Sequence, residues 1–456
     1  MFIFGKPSKL KPTLGFWELL LMAVSGTLGG GFFVLLGQGA QKAGYLLPLS
    51  FLVAGFVAFL VSRIYAELAT SMPATGGGQV YVRNAFGTHP ILFIVHWLTW
   101  IAELAFTSLA ALGLGFYLAP LLHVNSLLIT LIVIGVLVFI NLVGVEKVGQ
   151  VEQVIGLILL LTIVGLIILA LQGFSWSSLQ WAETNASFLK NNLGWLTGIP
   201  LIFVVFLGNE DLVAIASEIK NKARNIPRVL GLSVLGITAL TVLLSFVLVQ
   251  TFPLEQLANS PRPFTLFAQK FGSLGSILAY ATVLLACASS AFYGFLADTR
   301  TAFALSEAGE LPKVFSIISD KNVPQGSIII SGIIITFLCL SESASLVAYI
   351  ANVGFFLECI ILSVALITLR KKRPHLPRPF LARPYPLVPL FVIVISVVFL
   401  LLSPARAWLA VGGFSLLGFL VYLLKYFNKK RALYALLGIG IFIFIVAVLS
   451  LLLIIL

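Results

Sequence analysis

The chain has 456 residues, 60% of them hydrophobic and 10% charged, with a formal net charge of +12. A soluble domain could not cover that much apolar surface, which excludes the globular-enzyme and nucleic-acid-binding readings of a basic chain. The basic residues instead sit in short loops between apolar runs, so the chain reads as an all-α polytopic protein whose surroundings are a lipid bilayer.

Residues 1–15 form a short basic tail with Lys6, Lys9 and Lys11 and no cleavable-signal pattern. The first apolar run, 16–40, is broken in its middle. Ser25-Gly26-Thr27-Leu28-Gly29-Gly30-Gly31-Phe32-Phe33 holds four glycines within six positions. Each glycine in a helix interior costs roughly 0.8–1 kcal/mol relative to alanine, so the run predicts unwinding at mid-membrane depth. Unwound peptide groups are tolerated there only if buried in protein or lining a cavity, where a small polar ligand can take them up. Further spans are expected at 45–70, 91–120, 126–144 and 151–172, which together with the first make one repeat over 16–172. An external loop follows at 173–193, and its Asn185-Ala186-Ser187 fits a glycosylation acceptor.

The second half, 194–369, predicts spans at 194–219, 228–252, 274–305, 327–341 and 345–369. Its first span is also interrupted, because Pro200 lies near the start and Gly208-Asn209-Glu210-Asp211 lies between apolar stretches. A charged carboxylate at mid-bilayer costs about 2.5–3.5 kcal/mol even on a lenient scale, so two adjacent acids argue against a continuous lipid-facing helix. A break here exposes the Phe206 and Leu207 carbonyls and turns Glu210 inward. Two five-span halves with interruptions at matching first positions form the inverted-repeat pattern of secondary transporters. A basic loop over 370–385 holds Pro374, Pro377, Pro379 and Pro384 and reads as an extended, semi-rigid connector. Two accessory spans (386–403 and 407–427) and a thirteenth at 434–456 complete the chain. With the N-terminus in the cytoplasm of a cell-membrane protein, 23 of the 28 Lys and Arg residues fall inside and 5 outside.

Chemistry outside the breaks is sparse. Cys287, Cys339 and Cys359 lie in apolar runs, and the four histidines form no ligand pattern, so neither a disulfide framework nor a metal site is expected. There is no phosphate loop, no HExxH and no nucleophile–base arrangement, so no enzymatic activity and no cofactor is expected. The alternative of a membrane sensor is disfavoured, because no soluble segment exceeds about 25 residues.

Several motifs carry a resemblance. Leu28-Gly29-Gly30-Gly31-Phe32-Phe33, Tyr65-Ala66-Glu67-Leu68, Met72-Pro73, and Gly76-Gly77 with Tyr81 occur in order. They are followed by Phe206-Leu207-Gly208-Asn209-Glu210, Glu218-Ile219-Lys220-Asn221 and Arg224-Asn225-Ile226-Pro227-Arg228. Thr299-Arg300, Leu311-Pro312 and Leu376-Pro377-Arg378-Pro379-Phe380 complete the set. The series resembles amino acid permeases of the amino acid–polyamine–organocation (APC) superfamily. The resemblance implies the LeuT-like inverted five-plus-five helix repeat with broken helices 1 and 6, and alternating access around a bound amino acid. It places the substrate carboxylate on Gly29, Gly30 and Gly31, beside Thr27 and Leu28, where free N–H groups and the helix dipole favour an anion. The amine would meet carbonyls from Val24 to Leu28 and from Val204 to Leu207, with Phe206, Gly208 and Asn209 alongside. Glu210 matches the family acid that links occupancy to helix movement. The chain departs from the pattern in having Asn209 at an apolar position, Val204 where some antiporters gate with tryptophan, and no lysine in its fifth span.

For coupling, His96, Thr99, Glu103 and Thr107 share one helix face. Glu103 reads either as a proton carrier or as a structural carboxyl, and Glu358 in the tenth span presents the same choice. Ser289 and Ser290 read either as sodium-holding hydroxyls or as backbone-bonded serines. A proton is favoured over sodium, as symport or as exchange. Glu67 is expected to pair locally with Arg63 four residues earlier, and Asp298 with Arg300 is expected near an inner gate. Glu103 or Glu358 facing the substrate pocket would favour a cationic substrate, including a polyamine or cationic amino acid exchanged across the membrane, and otherwise a neutral one.

Overall fold

The structure is a computed structural model and describes residues 14–73, 77–87, 90–144, 148–173, 194–216, 219–319 and 323–426. The basic tail, the Asn185 site, Glu218 and the segment 434–456 lie outside the described residues. In chain order the helices are α1 (Phe16–Thr27), α2 (Gly30–Ala43), α3 (Leu47–Ser71), α4 (Gly77–Phe86), α5 (Pro90–Leu122), α6 (Ser126–Val143) and α7 (Val148–Gln172). They continue as α8 (Gly194–Ile202), α9 (Asp211–Ala214), α10 (Lys222–Thr251), α11 (Leu254–Asn259), α12 (Leu266–Glu307), α13 (Gln325–Cys339), α14 (Ala344–Lys372), α15 (Leu387–Leu401) and α16 (Ala405–Tyr426). Among the described residues nine helical stretches are long and apolar enough to cross a membrane, and α1, α13 and α15 are shorter apolar helices.

The membrane setting is written on the outer helices. On α6, Leu128, Ile132, Val136, Phe139 and Val143 are exposed, while Ile134, Leu137 and Asn141 are buried. On α7, Val154, Leu157, Leu161, Val164, Ile168 and Leu171 face outward, while Leu159, Ile163, Leu166 and Ala170 face the core. Exposed apolar residues three and four apart make a stripe along each helix, which water would not support and lipid does. Inside this shell α3 packs on α10, and α5 packs on both α12 and α14. These contacts are close because small residues stand at the crossings. A Cβ on Gly55 of α3 would strike the Thr238 side chain of α10, and one on Gly354 of α14 would stand 2.8 Å from the Leu98 carbonyl of α5.

Helix ends follow local chemistry. Asn125 caps α6 by accepting from the N–H groups of Leu127 at 2.8 Å and Leu128 at 3.3 Å. Ser343 caps α14, accepting from Leu346 N–H at 3.4 Å. Gly144 closes α6 with φ +80°, a conformation that favours glycine.

The basic loop after α14 is folded rather than extended. The Arg378 guanidinium donates to the carbonyls of Pro374, Leu376, Leu369 and Arg373 at 2.9–3.1 Å and so gathers the prolines around itself. Glu67 of α3 is fully buried and ties this loop to the core. Its carboxylate accepts from Arg370 Nε at 2.8 Å, Arg370 Nη2 at 2.5 Å and the Ala382 N–H at 2.7 Å, with Arg378 Nε 3.6 Å away. The expected local pair with Arg63 is therefore not formed. The Arg63 guanidinium lies over the Phe380 ring, 4.9 Å from its centre, and donates to the Leu381 carbonyl. Helical spacing permitted the Arg63 pair, but a buried carboxylate is better served by a planar bidentate partner and a backbone donor. Glu67→Ala leaves Arg370 facing an apolar hole, and loss of one partner from a buried pair costs about 3–5 kcal/mol. A clear fall in Tm of the purified protein in detergent is expected, with Arg63→Ala falling less.

Candidate functional site

The first apolar run parts between α1 and α2. Leu28 has ψ +62° and Gly29 has φ −107° and ψ −148°, both outside the helical region. The N–H groups in the first turn of α2 then have no helical acceptor. Gly29 already donates to the Thr27 carbonyl at 2.8 Å, so the open donors begin at Gly30 and Gly31. The glycines are also packing residues. A Cβ on Gly29 would strike the Ser290 side chain of α12, one on Gly30 would stand 2.8 Å from Ala110 Cα of α5, and one on Gly31 would stand 3.1 Å from Val204.

The second interruption runs from α8 to α9. A 3-10 turn spans Phe203–Phe206, Leu207 is extended at ψ +152°, and Gly208 has φ +94°. Gly208 provides the left-handed step that a side chain would strain. A Cβ there would stand 3.2 Å from the Phe106 ring and 3.6 Å from Thr27 Cα, so the two interruptions meet at Gly208 and Thr27.

Around this meeting point lies a narrow cavity lined by Thr99, Ala102, Glu103, Phe106, Leu207, Gly208, Glu210, Asp211, Asp298, Phe355 and Glu358. It leaves about 10 Å³ for the centre of a water-sized molecule, room for about one water. Five carboxyl groups thus border one small space. Asp298 is buried and accepts from Thr107 Oγ1 at 2.8 Å, while its backbone carbonyl accepts from Trp100 Nε1 at 3.1 Å. Glu103 is partly buried, and its Oε2 is enclosed without a hydrogen-bond partner. Glu358 is buried against Gly78 of α4, where a Cβ would strike its Oε1. A second small cavity is lined by Tyr65, Phe206, Asn209, Glu210, Leu230 and Phe355 among others, so Glu210 borders both.

The remaining residues singled out from sequence fall in four places. Thr27, Leu28 and the glycine triplet form the α1–α2 break, and the Thr27 hydroxyl is buried without a partner. Val204 packs on Gly31, and the Phe206 ring is tilted by 52° against that of Phe203, with ring centres 6.0 Å apart. Asn209 turns toward α10, where it accepts from Ser233 Oγ and donates to the Leu230 carbonyl at 3.4 Å. Ser290 is fully buried and donates to the Gly26 carbonyl at 2.5 Å, which is the backbone-bonded reading of that serine; Ser289 is fully buried one residue earlier. Asp211 was legible only as the neighbour of Glu210. A continuous helix would turn adjacent side chains about 100° apart, and the break is what lets both border the cavity. Arg300 donates to the Leu296 carbonyl at 3.1 Å.

Sequence reading also missed a charged cluster below the cavity. Glu310, in the turn after α12, receives Arg83 Nη2 of α4 at 3.0 Å and lies 2.5 Å from His96 Nδ1 of α5. His96 is one helical turn from Thr99 on the stripe that leads to Glu103. The neighbouring helices α4 and α5 are thereby tied to the turn after α12, more than 200 residues away, at one end of the bundle.

A family model described as amino acid permease matches residues 14–411. The branched-chain amino acid permease of Bacillus subtilis is 26% identical over 453 residues, covering 92% of this chain and 94% of that protein. The vacuolar cationic amino acid transporter 4 of Arabidopsis thaliana is 26% identical, covering 81% of this chain and 65% of its own length. Among solved structures, a mutant of the Eremococcus coleocola manganese transporter is similar with a TM-score of 0.57 at 14% identity, covering 99% of this chain and 98% of that one. That likeness speaks for the fold alone.

The Glu310 cluster has a pH signature. Burial raises the Glu310 carboxyl, but the His96 and Arg83 contacts outweigh it and hold the group below the ordinary value of 4.5. A carboxyl lowered on folding stabilises the protein above its unfolded value, and that contribution is lost as pH falls through the folded value. Glu310→Gln is therefore expected to lower Tm at pH 7, with the gap to wild type closing as pH drops below about 4.5 in a melting series.

Proposed function

The chain belongs to the amino acid permease family, and from that premise we propose that it is a secondary transporter moving an amino acid by alternating access. The observation that carries the reading is the meeting of the two interruptions at Thr27 and Gly208, beside a cavity at the core of the bundle. In this reading α1 to α7 and α8 to α14 are the two inverted halves, and each opens on an interrupted segment. The substrate carboxylate sits on the N–H groups at the start of α2, chiefly those of Gly30 and Gly31, where the positive end of the helix dipole adds to them. The amine takes carbonyls of Val24 to Leu28 and of Val204 to Leu207.

Glu210 is the coupling residue, since it borders the central cavity and the one beside α10 at once. A change in its charge or hydrogen bonding is felt in both spaces. Glu103 and Glu358 are the proton carriers in this scheme. Proton coupling is preferred to sodium coupling because the cavity is bordered by carboxyl groups that can carry a proton, while the Gly26 carbonyl already accepts a hydrogen bond from Ser290. The N-terminus lies in the cytoplasm of the cell membrane, in keeping with the distribution of Lys and Arg. The cluster of Arg83, His96 and Glu310 then closes the cytoplasmic end.

Uptake into proteoliposomes tests the reading. An inward proton gradient should drive accumulation of the substrate amino acid, and a protonophore should abolish it. Glu210→Gln is expected to leave folding intact and to cut initial uptake by about 5- to 150-fold, the span of a typical coupling free energy. Binding of amino acids without uptake by the wild-type protein would point to a sensor instead.

A further inference from the structure

The central cavity is bordered by carboxyl groups of Glu103, Glu210, Asp211, Asp298 and Glu358, and among the described residues no Lys, Arg or His lines it. The acids that have basic partners lie elsewhere: Glu67 takes Arg370 and Arg378, and Glu310 takes Arg83 and His96. Asp211 is only 8% exposed, and its carboxyl has neither a hydrogen bond nor an ion pair among the described residues. Glu103 adds an enclosed oxygen with no partner. The acids come from α5, the α8–α9 break, α12 and α14, so four separate parts of the chain bring negative charge to one point. Carrying a proton requires one such group. A gathering of five raises mutual repulsion in a medium of low dielectric constant, and a positive charge entering the space relieves it. Among the described residues no three of these groups are arranged to hold a metal ion. An ammonium with three N–H donors, or a guanidinium with five, can instead reach several carboxyls at once.

The cavity also has a direction. Gly208 is part of its wall and lies beside Thr27, whose Cα is 3.6 Å from where a Gly208 Cβ would stand, so the cavity adjoins the place where the amino acid main chain is held in the transport reading. A side chain leaving that place runs toward Glu103, Asp211 and Asp298. We propose that this cavity receives the positively charged end of the substrate, so that the transported species is a basic amino acid or a related organic amine. The inference rests on the transport reading and narrows its substrate. With room for about one water, the carboxyls stand drawn together here, and the charged group parts them as it enters.

The test compares L-lysine with L-norleucine, which has the same straight side chain without the terminal ammonium. Full-length protein is titrated with each in a thermal-shift assay, and each competes for uptake in proteoliposomes, with putrescine and the other common amino acids as further arms. Lysine is expected to bind about 30-fold or more tightly than norleucine, the scale of a buried charge pair losing one partner. Asp211→Asn is expected to shrink that ratio. Putrescine binding as well as lysine would show that the ammonium alone is read, and lysine alone that the main chain is read with it; both support the inference. Norleucine equal to or better than lysine overturns it, and the wild-type comparison decides this even where a variant fails to fold. A neutral amino acid transported while lysine and putrescine are inert overturns the inference and leaves the transport reading standing. No response to any amino acid or amine overturns both.

Discussion

The architecture depends on one constraint, that peptide groups freed from a helix inside a membrane must find partners within the protein. Helix is given up at two places in the core, at Leu28 and Gly29 and again from Phe203 to Glu210. Neither place faces lipid. Leu28 is 2% exposed and Leu207 is 3% exposed. The two support each other, with Gly31 against Val204 and Gly208 against Thr27. Glycine is needed here less for flexibility than for absence of bulk. A methyl group on Gly29, Gly30 or Gly31 would collide respectively with α12, α5 and the 3-10 turn, and so hold the interrupted segments away from the helices that shelter them.

Charge is buried in two different ways in the same bundle. Glu67 and Glu310 have guanidinium partners and tie separate elements together at the end of the bundle where α3 ends and α5 begins. Removing one partner from such a pair is costly, which suits a fixed joint. The five carboxyls around the central cavity lack such partners. A structural role would call for satisfying them, as the Ser363 hydroxyl is satisfied in donating to the Cys359 carbonyl at 2.7 Å. Buried carboxyls without basic partners are tolerable where protons or a ligand complete the site, and in the proposed reading that contrast separates the acids of the cavity from those of the fixed joints.

Much of this was legible in the residue order. Glycine density marked the first interruption, and Gly208-Asn209-Glu210-Asp211 marked the second, because both sequences conflict with a helix in lipid. The helical spacing of His96, Thr99, Glu103 and Thr107 correctly described one face of α5, which runs from the Glu310 cluster past the cavity to Asp298. What was not legible depends on crossings between distant helices. Glu67 finds Arg370, which is 303 residues away, and no local rule selects it over Arg63. Asn209 turns to Ser233 because α10 offers a hydroxyl there. The convergence of Asp211 and Asp298 with Glu358 required both the local break and the packing of α5 against α12 and α14, which periodicity along one helix does not contain.

The small size of the cavity bears on which part of the protein moves. A space for about one water does not admit an amino acid, so the proposed substrate entry requires a wall to shift. The helices α5, α12 and α14 are long, and α5 packs closely on each of the other two. The segment from Phe203 to Ala214 is the opposite, a single 3-10 turn, one extended residue, a left-handed glycine and four helical residues. It holds few internal hydrogen bonds, so altering its backbone angles breaks little regular structure, as hinge segments require. It also contributes Leu207, Gly208, Glu210 and Asp211 to the cavity wall. The part of the wall with least internal structure is therefore also the part that carries two of the five acids. In the proposed transport reading, binding at those acids and displacement of the wall are one event, which is how substrate would be coupled to conformation.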